Sequence, residues 1–94
     1  MNTTNPDTLP DTLLAFPCDF PIKAMGRDDG EFEIRVIDIV RRHAPDLHEA
    51  AIQSRPSKSG NYLSVTVTVR AHSREQLDNI YLELTACEQV LMAL

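Results

Sequence analysis

The clearest pattern in the chain lies at 62–71, YLSVTVTVRA, where Leu63, Val65, Val67, Val69 and Ala71 alternate with Tyr62, Ser64, Thr66, Thr68 and Arg70. Period two with β-branched residues predicts a strand with one face in the core and one in water. Such a strand belongs to an antiparallel or mixed sheet covered on one side only. Residues 18–26, CDFPIKAMG, predict another strand, with Phe20, Ile22 and Ala24 on one side and Pro21, Lys23 and Met25 on the other. Pro21 has no N–H to give, so its neighbour on that side is expected to be missing or bulged. The run Gly26-Arg27-Asp28-Asp29-Gly30 is expected to break this strand, and Asp28 with Glu31 has capping-box spacing.

Phe32, Val36, Ile39, Val40 and His43 then repeat at i, i+4, i+7, i+8 and i+11, one face of a helix that Pro45 stops. A weaker strand is expected at 47–55, with Ala50 and Ile52 buried, followed by a turn at 56–61. Ser73-Arg74-Glu75-Gln76 is a second capping box; Leu77, Ile80, Tyr81 and Leu84 carry the helix that follows to about Ala86. Residues 88–94 close as a strand with Val90, Met92 and Leu94 inward, leaving Leu91 and Ala93 on the other face. The order β-α-β-β-α-β with right-handed crossovers predicts an α+β fold: a ferredoxin-like four-stranded antiparallel sheet, order 4-1-3-2, with two helices on one face. Residues 1–12 are expected to be a disordered tail rich in Asn, Thr, Asp and Pro, and 13–94 a single domain in which Leu13, Leu14 and Phe16 dock on the core.

Composition narrows the function classes. The 94 residues are 43% hydrophobic and 24% charged, with a net charge of −5 concentrated toward the N-terminal third. An acidic chain repels phosphate backbones, which argues against nucleic acid as a partner. An RNA-recognition sheet needs exposed aromatics on its central strands, and only Tyr62 qualifies. Cys18 and Cys87 are expected to begin neighbouring antiparallel strands at opposite ends of the sheet, with no disulfide between them. No apolar run approaches the ~20 residues that span a bilayer, and no charged segment precedes an apolar one as in a signal peptide, so no membrane partner and a cytoplasmic location are expected.

Chemistry-bearing residues are sparse. His43, His48 and His72 fit no metal spacing. The acids around Asp28 suit a helix N-terminus for structural reasons. With no convergent set of titratable groups, neither catalysis nor a cofactor is expected.

Three segments carry a family resemblance: FPCDFPIKAMG at 16–26, VRRHAP at 40–45 and SKSGNYLSV at 57–65. Together they resemble the YbeD-like family of small bacterial proteins, over about residues 13–94. That resemblance implies a fold similar to ACT-type regulatory domains and brings no catalytic residues with it.

Two sites of binding follow. In ACT domains the first strand–helix loop, with a glycine near the helix start, lets a ligand approach the backbone, which nominates Gly26, Asp28, Asp29 and Gly30 for an amino acid or similar metabolite. Here the loop lacks the usual proline before that glycine, and its acids suit an ammonium group better than an anion. Lys23, Lys58, Gly60, Tyr62 and Arg70, on the open sheet face and the 57–61 hairpin, are nominated for a protein partner. The leading expectation is a small regulatory or protein-interaction module, monomeric or dimeric, with a metabolite sensor as the alternative.

Overall fold

A computed structural model describes residues 15–94 of the chain. The elements run β1 (Cys18–Arg27), α1 (Phe32–His43), a 3₁₀ turn at Glu49–Ala51, β2 (Ile52–Pro56), β3 (Tyr62–Ala71), α2 (Arg74–Ala86) and β4 (Val90–Ala93). The strands form one antiparallel sheet in the order β2-β3-β1-β4, which is 4-1-3-2 read from the other edge. Both helices pack on one face of it, the α+β ferredoxin-like arrangement that the alternation and helical periodicities predict.

The core sits between sheet and helices. Ile22, Ala24, Val65, Val67, Val69 and Ala71 project from the central strands and are at most 1% exposed. Phe32, Val36, Ile39 and Val40 from α1 and Leu77, Ile80 and Leu84 from α2 close over them. Phe16 packs partly buried against this cluster; Leu13 and Leu14, and the tail assigned to residues 1–12, lie outside the described residues.

Pro21 pairs with Thr68 of β3 on one side. On the other side β4 reaches only Ala24–Gly26, and Lys23 and Leu94 exchange backbone bonds of 3.0 and 2.8 Å. Lys23 sends its N–H toward β4, so the missing N–H of Pro21, two residues earlier, points the same way. Among the described residues no strand lies there to be left without a donor.

Several local expectations are corrected. Strand β1 does not break at Gly26 but runs to Arg27, because β3 offers partners as far as Tyr62. The helix start is not an Asp28–Glu31 capping box. Glu31 occupies the N-cap position without a side-chain cap, and Asp29 Oδ1 instead accepts the Glu31 N–H at 2.9 Å. The second strand is shorter than 47–55: Glu49–Ala51 form a 3₁₀ turn, Ala50 is exposed, and only Ile52 of the pair packs on the core.

The last strand is the largest change. A β-bulge sets Gly26 opposite Val90 and Met25 opposite Met92, so Leu91 is the extra residue. One inserted residue inverts a period of two. Val90 and Ala93 therefore pack on the core, while Met92 and Leu94, expected inward, are 50% and 62% exposed. Ala93, expected on the open face, is inward beside Ala24.

At the second helix, Ser73 Oγ accepts the Gln76 N–H at 3.1 Å, as the capping-box spacing predicts. The Gln76 side chain reaches the His72 N–H at 2.7 Å and donates to the His43 carbonyl at 2.8 Å, tying the start of α2 to the end of α1.

Candidate functional site: the open sheet face

The helices cover one face of the sheet, and the strand register orders what stands on the other. Side chains whose neighbours along the strand point into the core must point away from it. Cross-strand pairing then arranges them in rows. Arg55, Ser64, Met25 and Met92 form one row across all four strands. Gln53, Thr66, Lys23 and Leu94 form the next. Arg27 and Tyr62 lie beyond the first row; Pro21–Thr68 and Asp19–Arg70 lie beyond the second.

The face is therefore divided. Its β4 side is apolar, with Met92 and Leu94 beside Met25. Its β2 side is polar and cationic, and a depression of about 480 Å³ there is lined by Lys23, Gln53, Ser54, Arg55, Ser64 and Thr66. A smaller hollow of about 210 Å³ adjoins it, sharing Arg55 and Ser64 and adding Met25, Pro56, Tyr62 and Leu63.

The hairpin at one end is built by its own hydroxyls. Ser57 N–H donates to the Tyr62 carbonyl at 2.9 Å, and Ser57 Oγ accepts the Tyr62 N–H at 3.1 Å. Gly60 turns the chain with φ of +81°, a left-handed conformation that glycine adopts without a Cβ penalty. Lys58 stands exposed at the tip.

The first loop lies against this hairpin. Asp28 N–H donates to the Asn61 carbonyl at 2.9 Å, so the two loops nominated separately from sequence form one end of the molecule. Within the first loop the four nominated residues have local tasks. Gly26 is buried, and a Cβ there would stand 2.3 Å from the Phe32 ring and 2.3 Å from the Gln89 carbonyl oxygen. Gly30 holds φ of +85° in open space. Asp29 accepts the Glu31 N–H and lies 3.7 Å from Arg35; that N–H bond first, and Arg35 as well, holds its carboxyl below the usual carboxylate range. Asp28 is exposed.

Of the residues nominated for a partner, Tyr62, Lys58 and Gly60 stand at the hairpin end and Lys23 stands at mid-sheet opposite Thr66. Arg70 stands at the opposite end and bonds Asp19 at 3.2 Å. Arg27 and Arg55 belong to the same face and were not nominated. Period two counted from the inward Ile52 puts Arg55 there, and the same count through β1 puts Arg27 there. The Arg27 guanidinium carbon sits 5.7 Å from the centre of the Tyr62 ring.

The other titratable cluster stands among the helices. Glu83 takes His43 Nε2 at 2.7 Å on one oxygen and the Arg42 guanidinium on the other. The Arg42 bond, then the His43 bond, lowers the Glu83 pKa and leaves it an anion that clamps α2 to the end of α1. Cys18 and Cys87 are free thiols; Cys18 pairs opposite Ala71, whereas Cys87 leads into β4 at the other end of β1. Among the described residues no group of three His, Cys, Asp or Glu side chains is placed to hold a metal ion, and no helix is long and apolar enough to cross a membrane.

Residues 11–94 match the family model described as "Protein of unknown function (DUF493)". A UPF0250 protein of Janthinobacterium sp. (strain Marseille) is 54% identical over 76 residues, covering 81% of this chain and 84% of the relative. A UPF0250 protein of Neisseria meningitidis serogroup A is 51% identical over 83 residues, covering 88% and 91%. One of Chromobacterium violaceum is 50% identical over 82 residues, covering 87% and 92%. With the family model spanning the whole described domain and relatives of this identity, the chain belongs to the DUF493 family of UPF0250 proteins, the YbeD-like group that its three sequence segments resemble.

Proposed function

We propose that this chain is a small non-catalytic regulatory or protein-interaction module that docks a partner protein across its open sheet face and 57–61 hairpin. The observation that carries the reading is the make-up of that face. It joins a polar hollow of about 480 Å³ to an uncovered apolar margin at Met92 and Leu94. Mixed faces of this kind, an apolar patch rimmed by polar groups, suit association with another protein. The displaced titratable groups have structural causes. Asp29 is held by a backbone N–H, Glu83 and Arg42 by each other, and Tyr81 is raised by burial. That pattern supports binding over catalysis as the mode of action.

Affinity capture from the native host tests it, with wild type compared with Thr66→Trp, which fills the hollow, and Lys58→Glu at the hairpin tip. Loss of the same captured protein from both variants is expected. Recovery equal to wild type from both removes this face from the function.

A further inference from the structure

The charge on the open face carries that reading to a class of partner. We propose that the docked segment is an extended acidic stretch of protein, whose carboxylates are taken by Lys23 and Arg55 in the sheet hollow. This inference rests on the face being a docking surface and adds what the partner must present there.

The chain as a whole is acidic, at −5, yet its charges are sorted by side. On the helices and their loops, three arginines are spent on neighbouring carboxylates, Arg35 on Asp29 and Glu31, Arg42 on Glu83 and Arg74 on Asp78, and Arg41 donates to the Leu47 carbonyl at 3.3 Å. On the open face the described residues include one side-chain carboxylate, Asp19, and Arg70 takes it. Lys23, Arg55 and, at the hairpin, Lys58 are exposed and make no ion pair among the described residues. A face whose positive charges have no internal use, on a negative molecule, is complementary to an anion confined to that face. Gln53, Ser64 and Thr66 line the same hollow and supply neutral donors beside the cations.

The cations and the apolar strip beside them suit an extended chain. Lys23 and Arg55 sit two strands and one row apart, which places their Cα atoms about 12 Å from each other by strand spacing and rise. Two carboxylates a few residues apart along an extended segment span such a distance, one for each cation. The apolar strip of Met25, Met92 and Leu94 alongside accepts intervening side chains.

The same positive face is a poor platform for RNA. Single-stranded bases need open aromatic rings to stack on. Among the described residues Tyr62 is the one aromatic ring on this face, and the Arg27 guanidinium already lies over it at 5.7 Å. A long polyanion would also run past the hollow toward Asp28, Asp29 and the other acids of the helical side.

The test uses the full chain and a fluorescein-labelled twelve-residue peptide of alternating Glu and Ala, read by anisotropy. A matched Gln–Ala peptide and a twelve-nucleotide oligouridylate are the comparison arms. The Glu peptide is expected to bind, about tenfold or more weaker at 500 mM than at 50 mM NaCl as screening shortens the reach of the charges. The Gln peptide is expected to bind at least tenfold more weakly. The exchange Lys23→Met with Arg55→Met should weaken the Glu peptide about tenfold, with the thermal midpoint checked to show that the exposed changes leave the fold intact.

No binding of the Glu peptide up to 1 mM, equal binding of the Gln peptide, or tighter binding of oligouridylate overturns the proposal. Affinity capture separates this failure from that of the docking face itself. A protein lost with Thr66→Trp but retained by the Lys23→Met, Arg55→Met chain leaves the face as the docking surface and removes the acidic partner. A protein retained by all the variants removes both.

Discussion

Replacing Gly26 by alanine probes the tightest point of the fold, where β1, the start of α1 and the approach to β4 meet. The added Cβ would stand 2.3 Å from Phe32 Cε1, 2.7 Å from Phe32 Cζ and 2.3 Å from the Gln89 carbonyl oxygen, all well inside contact distance. Neither neighbour yields cheaply. The Phe32 ring is 1% exposed in the middle of the core, and the Gln89 carbonyl is backbone leading into the bulged pairing of Val90 with Gly26. The glycine is not there for positive φ, which belongs to Gly30 and Gly60, so the cost is steric.

Overpacking of this kind costs about 1–3 kcal/mol. Alanine would offset part of it, by about 0.4–1 kcal/mol, through the smaller entropy of its unfolded chain. A net loss of about 1–2 kcal/mol corresponds to a fall in thermal midpoint of roughly 5–15 °C for a domain of this size. Urea and thermal unfolding of wild type and G26A read this directly. The double change Gly26→Ala with Phe32→Leu should cost less than the sum of the two single changes, because the smaller side chain frees the ring's place. A midpoint within 2 °C of wild type for G26A, or strict additivity with Phe32→Leu, would refute the steric account and reopen the loop as a site kept bare for a ligand.

Other consequences of the structure are as direct. Ile80→Ala, at a position with no exposure between α2 and the sheet, should lower stability by about 2–5 kcal/mol in urea unfolding. Ser73→Ala removes the 3.1 Å cap on the Gln76 N–H and should cost about 1 kcal/mol, with Ser73→Asp close to wild type. Glu83 has its folded pKa depressed, chiefly by Arg42 and then His43. Its contribution to stability is therefore present above its unfolded pKa and lost as pH falls through the folded pKa. A pH series of urea midpoints for Glu83→Gln should show a shallower acid limb than wild type; parallel limbs would remove the clamp from the stability of the fold.

Much of this was readable from the residues because it depends on local order. The β3 alternation and the two helical stripes settle which side chains share a face, and that parity alone places Lys23, Tyr62 and Arg70 on the uncovered side. The cap at Ser73 follows from spacing. Where the reading failed, the missing information was non-local. The end of β1 was set at Gly26 by composition, whereas β3 supplies partners to Arg27. The 47–55 stretch has few apolar positions, and its first part is a 3₁₀ turn because only Ile52–Pro56 lies opposite β3. The bulge at Leu91 leaves no trace in a run of apolar residues, so period two counted from Val90 exchanges the inward and outward sides of β4 from Met92 onward.

The order and type of the elements, and the split of β1 and β3 into a core side and a water side, belong to the sequence by itself, since side-chain periodicity is a property of a single segment. Which cations remain without a partner, the adjacency of the Asp28 loop to the Asn61 hairpin, and the apolar margin made by Met92 and Leu94 were decided only by the tertiary structure. Each depends on the register between segments distant in the chain, and register is set by pairing and packing that no one segment contains.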